Sequence, residues 1–329
     1  MGKGIGQDLM NRLRDAHDSK MCLVPESPTE ARCLRKALKR ADVVSPATSV
    51  YALPGLWDKL SPLDKELYKV RALARLHPDW VFAGPSAAVI QGLYVSYRLL
   101  GTTHVATSRP SHSRSSKFIR RHVIDGCEPT SVDGVRVTPV ARTAFDCIRD
   151  ADFRAALCIA DSALRVMGID SAALVEKLSA FRSLRVSKER VLAVAALANG
   201  LSESGGESTA RAVMIEEGFM WPTLQKEVTD PVDKSKKFRV DFYWQLPSGD
   251  VAGELDGREK YRNPEMTNGK DAVDVLADER LRESRVSGTN VKIMRFSYGN
   301  VLNTEFFCHL LTSYGIPRGF DVPWVARHQ

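Results

Sequence analysis

Two runs of alternating side chains joined by a short turn constrain how the C-terminal part of this chain can fold. The first run is FRVDFYW (238–244) and the second is VAGELDG (251–257). The six residues between them include a proline and a Ser-Gly pair, so the runs are predicted to form an antiparallel β-hairpin. Because strand side chains alternate between faces, Glu254 and Asp256 share a face, and Asp241 faces Glu254 across the pair.

Acids gathered in this way repel one another unless a cation neutralises them, and a hard divalent ion with oxygen ligands is the usual resolution. Asp241, Glu254 and Asp256 are therefore predicted to bind Mg²⁺ or Mn²⁺. Such an ion polarises a phosphoryl oxygen and lowers the pKa of a bound water, which is the chemistry of phosphodiester hydrolysis. Lys260 is placed to stabilise the developing charge or to orient the water. The alternative is that these acids are exposed turn residues and that Lys260 only solvates the end of the hairpin.

The elements around this hairpin predict its architecture. In chain order, a helix (207–218) and a strand (224–230) precede the two hairpin strands (238–245 and 250–256). A polar helical stretch (272–287), a fourth strand (290–296) and a closing helix (305–314) follow them. This α-β-β-β-α-β-α order predicts a mixed sheet with helices on its faces.

A basic helix is predicted near the N-terminus, from Pro28 to about Ala41. Its cations recur at helical spacing: Arg32, Arg35, Lys36, Lys39 and Arg40. The complementary stripe is apolar and expected to be buried: Ala31, Leu34, Ala37, Leu38 and Ala41. A short hairpin follows, which gives the order of a winged helix-turn-helix, with the basic helix in the major groove and the hairpin on phosphate. The alternative is a solvated charged face on a packing helix.

Charge is distributed unevenly along the 329 residues. Residues 1–150 carry 23 Lys and Arg against 15 Asp and Glu, whereas residues 151–329 carry 24 against 25. The N-terminal excess suits a polyanion, and nucleic acid is the favoured partner, although such a charge can also serve solubility alone. The most basic loop runs from residue 109 to residue 122 and supplies three further candidate DNA contacts: Lys117, Arg120 and Arg121. RNA binding by this loop is a third option. The sequence has no aromatic platform beside the loop, which argues against this option.

The composition is that of a globular protein, with 26% charged and 43% hydrophobic residues. We find no apolar run of 18 residues and no signal-like start, so a location in the cytoplasm and no association with a membrane are expected. The six cysteines lack metal-ligand spacing and are interpreted as reduced thiols. Three domains are predicted, at residues 1–60, 61–200 and 201–329, the middle one having mixed α/β structure.

The C-terminal motifs ESTARAVMIEEGF, FRVDFYW, GELDGREKY and ERLRESRVSGTNVKIMRFSY resemble the restriction-endonuclease-like PD-(D/E)xK superfamily, in the branch related to very-short-patch-repair endonucleases. The resemblance covers residues 203–300 and implies a metal site made by Glu207, Asp241 and Glu254. The lysine that the superfamily carries two residues after the strand acid is replaced here by Asp256. Lys260 is the candidate to take its role.

The segments VYALPG, GPSAAVIQGL, GVRVTPVARTAFDCIRD and ALCIADSAL resemble the AbiEi-like antitoxins of abortive-infection systems. This resemblance implies DNA binding by residues 1–57 and a regulatory or defence role. It also implies a toxin or other defence protein as a partner, and a homo-oligomeric state is a further option. The leading hypothesis is an α+β multidomain DNA-binding protein whose magnesium-dependent endonuclease domain cleaves or nicks DNA. The alternative is a non-enzymatic transcriptional regulator or antitoxin with a degenerate nuclease fold.

Overall fold

A computed structural model describes most of the chain, namely residues 5–108, 118–124, 126–181, 188–256 and 291–327. The protein has mixed helices and sheets, as predicted for an α+β chain. Within the described ranges, no helix has the length and apolar character needed to cross a membrane.

The chain separates into two compact units. The first contains residues 1–150 and 176–188, and the second contains residues 151–175 and 189–329. The division into three domains at residues 60 and 200 remains a prediction. Each unit is described separately below.

The first unit begins with two helices and a hairpin: α1 (Gln7–Asp18), α2 (Pro28–Lys39), β1 (Val44–Ala47) and β2 (Val50–Ala52). The predicted basic helix and the predicted hairpin are both confirmed, with β1 and β2 antiparallel. Ser27 caps α2 by accepting the N–H of Glu30 at 3.1 Å, which satisfies one of the donors that a helix start leaves unpaired. The carboxylate of Glu30 then holds Arg12 of α1 at 2.6 Å.

The apolar face of α2 is narrower than the sequence predicted. Leu34 and Ala37 are buried against α1 and the hairpin, but Leu38 is 39% exposed. Ala41 is also exposed, because the helix ends at Lys39 and the chain reverses through a left-handed conformation at Ala41 (φ 61°). The prediction that Leu38 and Ala41 belong to the buried stripe is therefore wrong: Ala41 lies beyond the end of the helix, and Leu38 lies within α2 but on its exposed side.

The rest of the first unit surrounds a five-stranded sheet of order β5-β4-β3-β7-β6. The strands are β3 (Val81–Phe82), β4 (Thr103–Thr107), β5 (Ile119–Val123), β6 (Thr130–Val132) and β7 (Val135–Val137). Strands were predicted around residues 104–107, 118–124 and 135–139, and the structure confirms them. The helices are α3 (Pro54–Trp57), α4 (Pro62–Leu76), α5 (Gly84–Ile90) and α6 (Val140–Asp150).

The second unit contains a four-stranded mixed sheet of order β11-β10-β9-β8, in which β10 and β11 are parallel and the other neighbours antiparallel. Its strands are β8 (Thr223–Thr229), β9 (Lys237–Trp244), β10 (Val251–Asp256) and β11 (Lys292–Ser297). Its helices are α7 (Phe153–Met167), α10 (Gly205–Glu216), α11 (Tyr298–Leu302) and α12 (Thr304–Ser313). Two further helices, α8 (Ser171–Ser179) and α9 (Lys188–Ala196), each contain a boundary between the units. The element order matches the prediction, except that the helical stretch 272–287 lies outside the described residues.

The core of the second unit lies between one face of this sheet and its helices. Five large aromatic side chains there are almost fully buried: Phe219, Phe242, Trp244, Phe296 and Phe307. Burying an aromatic side chain of this size contributes roughly 2 to 3 kcal/mol to folding. Phe242 and Trp244 of β9 belong to this core, whereas Val240 and Tyr243 of the same strand belong to a second cluster with Ala252 and Val291.

Candidate functional site

The two central strands of the C-terminal sheet separate at one end. The ladder between β9 and β10 ends at the Phe242–Gly253 pair. Beyond that pair, β9 stays paired with β8 as far as Lys237, and β10 stays paired with β11 as far as Asp256. We call the gap between β9 and β10 beyond the Phe242–Gly253 pair the fork.

A glycine lies where the fork begins. A Cβ atom on Gly253 would lie 3.1 Å from the Cβ of Phe242 and 3.1 Å from the indole ring of Trp244. Contacts this short require the neighbouring side chains to shift, and both belong to the packed aromatic core. Gly253 therefore allows β9 and β10 to approach closely just before they diverge.

Asp241 is the first residue of β9 inside the fork. Its Oδ2 accepts the backbone N–H of Leu255 at 2.9 Å, so the side chain caps β10 where the ladder has ended. The other oxygen, Oδ1, accepts no hydrogen bond from any residue in the described ranges, and Asp241 forms no ion pair with a cation among them. The carboxylate is partly buried. It is thus a half-used acceptor in a partly desolvated position.

Glu254 and Asp256 lie on the other side of the fork. The β9–β10 pairing ends one residue before Glu254, so the meeting of Asp241 with Glu254 across the hairpin stays a prediction. On the neighbouring strand β11, Arg295 is the register partner of Glu254. Its guanidinium lies 3.4 Å from Oε2 of Glu254 and 3.5 Å from Oδ1 of Asp256. Arg295 therefore neutralises part of the acidic charge that the sequence gathers here.

Glu207 lies in the first turn of α10, where its carboxylate is almost completely buried. Its Oε1 accepts the hydroxyl of Ser204 at 2.8 Å, and its Oε2 accepts the N–H of Glu203 at 2.8 Å. Burial raises the pKa of Glu207 above its ordinary value, the hydrogen bonds oppose that rise, and the charge of Asp241 adds to it. The charge of Asp241 thus acts on Glu207, whereas the meeting of the two carboxylates over one metal ion stays a prediction.

Gln225 on β8 completes the surroundings of Glu207. Its amide donates to Oε2 of Glu207 at 3.1 Å. Its backbone adopts a left-handed conformation, φ 51°, in the middle of a strand, which costs a non-glycine residue on the order of 1 kcal/mol. The β8–β9 register sets Gln225 opposite Asp241. Backbone strain of this kind is concentrated at functional sites, and here it occurs beside two candidate site residues.

Within the described ranges, no group of three or more His, Cys, Asp or Glu side chains is arranged to hold a metal ion. Among the described residues, Oδ1 of Asp241 is a carboxylate oxygen without a protein donor, and the carboxylate of Glu254 beside Arg295 is the second candidate ligand. Mg²⁺ is typically held by one or two carboxylates together with water and substrate phosphates, so this donor set fits the ion. Asp256 is exposed and paired with Arg295, and Glu207 has its oxygens engaged by protein donors. Lys260 lies outside the described residues.

A second candidate surface is the outer face of α2. All five of its predicted DNA contacts are exposed: Arg32, Arg35, Lys36, Lys39 and Arg40. Arg40 pairs with Asp42 at 2.8 Å, and Arg35 donates to the carbonyl of Ala31. The other three cations form no ion pair with a residue in the described part of the chain. The helix therefore presents positive charge that the protein itself does not neutralise.

The cations predicted from the basic loop have different surroundings. Arg120 on β5 is exposed, whereas Arg121 is half-buried and lies over the indole of Trp80. Lys117 lies outside the described residues. The parallel pairing of β4 with β5 also brings together His104 and His122, whose ring nitrogens are 2.9 Å apart. Burial, reinforced by the charge of His122, lowers the pKa of His104 to about 4.

Sequence reasoning missed the roles of Gln225 and Arg295. It did not place Arg295, which the parallel β10–β11 register sets beside Glu254 and Asp256. The alternation of β11 would have identified the face of Arg295 once that register was known. Glutamine has no preference for a left-handed conformation, so no sequence signal marks Gln225.

The chain was compared with models of protein families, with curated proteins and with solved structures, and none of the three comparisons found a match.

Proposed function

We propose that the second unit is a metal-dependent DNA endonuclease whose reaction takes place at the fork. The observation that carries this proposal is Asp241. It is a partly buried carboxylate whose Oδ2 accepts the N–H of Leu255, whose Oδ1 accepts no hydrogen bond from the described residues, and whose charge contributes to the pKa of Glu207. A partly desolvated acid without a cation partner attracts a divalent ion.

Asp241 and Glu254 are the residues that would hold Mg²⁺ or Mn²⁺. When bound, the ion supplies polarisation of a phosphoryl oxygen and a water of lowered pKa. Asp241 is oriented for this role because its Oδ2 is fixed by the N–H of Leu255, which leaves Oδ1 directed elsewhere. Glu254 is oriented by Arg295 at 3.4 Å.

Glu207 and Gln225 act as positioning residues in this proposal. Glu207 ties the start of α10 to β8 through Gln225, and it keeps negative charge close to Asp241. Arg295 supplies a cation on the β11 side of the fork, where the superfamily pattern leads one to expect a lysine and the sequence has Asp256.

Duplex DNA would be held by the outer face of α2 and by the β1–β2 hairpin. A helix with several unpaired cations fits the phosphate backbone, and the affinity of such a surface falls steeply with salt. Replacing Arg32, Lys36 and Lys39 together by methionine should weaken duplex binding and flatten its salt dependence.

The activity is tested with supercoiled plasmid and Mg²⁺ or Mn²⁺, following conversion to nicked and linear forms. Wild-type protein should nick the plasmid, and Asp241→Asn should lower the rate at least about a hundredfold, as expected when a ligand to an essential ion is removed. The matched control is Glu227→Gln, which removes an exposed carboxylate on β8 of the same sheet. Equal rates for wild type and Asp241→Asn would mean that the fork is not the site of hydrolysis.

The position of Arg295 favours a second function, that of a regulator or antitoxin that does not cut DNA. Because its guanidinium already neutralises Glu254 and Asp256, the fork can be stable without a metal, and the unit can serve a regulator or antitoxin that binds DNA without cutting it. In that case Arg295→Met should lower the melting temperature, Mn²⁺ should leave it unchanged, and duplex binding should not depend on divalent ions. Nicking that is lost in Asp241→Asn would exclude this second function.

A further inference from the structure

A groove of about 510 Å³ lies on the first unit, away from α2. It runs past the ends of β3, β4 and β7, and the described residues that form it include Trp80, Thr107, Arg121 and Arg136. Its volume lies within the range of roughly 300 to 1,000 Å³ typical of sites that bind small molecules.

Trp80 and Arg121 line this groove, and two flat groups lie against the indole of Trp80. The imidazole of His77 lies against the indole of Trp80, with ring centroids 3.9 Å apart and planes 10° apart. The guanidinium carbon of Arg121 lies 5.4 Å from the centroid of the same indole. Arg121 is thus positioned by stacking and not by a carboxylate, and its N–H donors are available to the groove.

The charges in the groove are unbalanced. Neither Arg121 nor Arg136 forms an ion pair with any residue that the structure describes, and Arg136 only donates to the backbone carbonyl of Asp79 at 3.4 Å. Nε of Arg121 is buried without a hydrogen-bond partner among the described atoms. Among the described lining residues, Asp79 supplies the carboxylate, so the two arginines leave a net positive charge. A buried donor without an acceptor, beside a second unpaired cation, indicates an anionic ligand.

We propose that this groove binds a nucleotide of a single-stranded nucleic acid, with phosphate on Arg121 and Arg136 and a base continuing the His77–Trp80–Arg121 stack. A stack of aromatic rings and a guanidinium beside a cationic groove is the arrangement that holds unpaired bases. A duplex does not fit because its bases are stacked on one another and cannot enter a groove of this kind. Trp80 also provides the aromatic platform that the sequence did not reveal next to the basic loop.

The test is fluorescence anisotropy with labelled twelve-nucleotide oligothymidylate and oligouridylate, which separates DNA from RNA as the source of the strand. Arg121→Met and Arg136→Met should each weaken single-strand binding by about tenfold, and Trp80→Leu by a similar factor, whereas Trp80→Phe should retain most of the affinity. Arg75→Met is the matched control, because Arg75 is an exposed arginine of α4 outside the groove. It should change the affinity less than twofold.

Melting temperatures of all variants show whether the first unit remains folded. If Trp80→Leu unfolds the unit, the two arginine variants still decide the matter. The proposal is overturned if the wild type binds neither oligonucleotide, or if Arg121→Met and Arg136→Met bind as the wild type does. It is also overturned if these two variants weaken binding of a duplex of the same length as strongly as they weaken single-strand binding. A selective loss of single-strand binding supports it.

Discussion

Replacing Arg211 by methionine should strongly destabilise the second unit, because Arg211 is half of a buried ion pair that ties α10 to α7. Its Nη1 lies 2.7 Å from Oδ2 of Asp161, and the two side chains are 9% and 0% exposed. Its Nη2 donates to the carbonyl of Leu197 at 2.9 Å, while Oδ1 of Asp161 accepts the N–H of Asn199 at 2.8 Å. This arrangement fixes α10, and with it Glu207 beside the fork.

The magnitude follows from the charge that the substitution leaves behind. Methionine fills much of the volume of Arg211, but Asp161 then remains as a buried carboxylate with one backbone N–H on its other oxygen and no cation. Breaking a buried pair in this way costs about 3 to 5 kcal/mol. For a unit of this size that corresponds to a fall of roughly 6 to 20 °C in melting temperature. The double variant Asp161→Asn/Arg211→Met removes both charges and should recover more than half of the loss.

The assay is urea unfolding followed by tryptophan fluorescence, since Trp244 in the core of this unit reports on its packing. The control is Lys237→Met, which breaks an ion pair whose two side chains are each 59% exposed and should leave the unfolding midpoint unchanged. A loss below about 1 kcal/mol for Arg211→Met would refute the reasoning. So would a double variant no more stable than Arg211→Met, because the cost would then not arise from the unpaired carboxylate.

Four further predictions concern pH and packing. Burial raises the pKa of Glu207 above 4.5, so the folded state holds the proton more tightly and loses stability as the pH rises through that pKa. The melting temperature of Glu207→Gln should therefore rise relative to that of the wild type between pH 4 and pH 7.5. The pKa of His104 is lowered from 6.5 to about 4, so the first unit should lose up to roughly 3 kcal/mol as the pH falls between these values, and His104→Gln should flatten that dependence in urea titrations. Leu34→Ala should cost about 2 to 5 kcal/mol in urea unfolding, because Leu34 is fully buried in the α1–α2 core. Gly253→Ala should cost about 1 to 3 kcal/mol in the same assay, because its Cβ would lie 3.1 Å from two core side chains.

Local patterns predicted much of the secondary structure. Pro28 marked the start of α2 because proline is favoured at the first helical position, and the structure begins the helix at Pro28. Alternation in FRVDFYW predicted that Phe242 and Trp244 share one face of a strand, and both lie in the same core. These predictions succeed because each depends only on the periodicity or on the cap chemistry of one short segment.

Features that depend on neighbouring segments could not be predicted in the same way. The exposure of Ala41 follows from the end of α2 at Lys39 and from the left-handed conformation of Ala41 itself. The pairing of Arg295 with Glu254 follows from the β10–β11 register, across a long stretch of sequence. The fork itself arises because β9 stays paired with β8 while β10 stays paired with β11. The sequence of one strand alone does not predict this separation.

The most direct test of the central claim, that the carboxylates at the fork bind a divalent cation, is a titration with Mn²⁺ monitored by electron paramagnetic resonance of the free ion. Wild-type protein and the Glu227→Gln control should each remove one equivalent of Mn²⁺ from solution. Asp241→Asn, which should remain folded by its melting temperature, should lose that site. Equal binding by wild type and Asp241→Asn, or no binding by the wild type, would contradict the account.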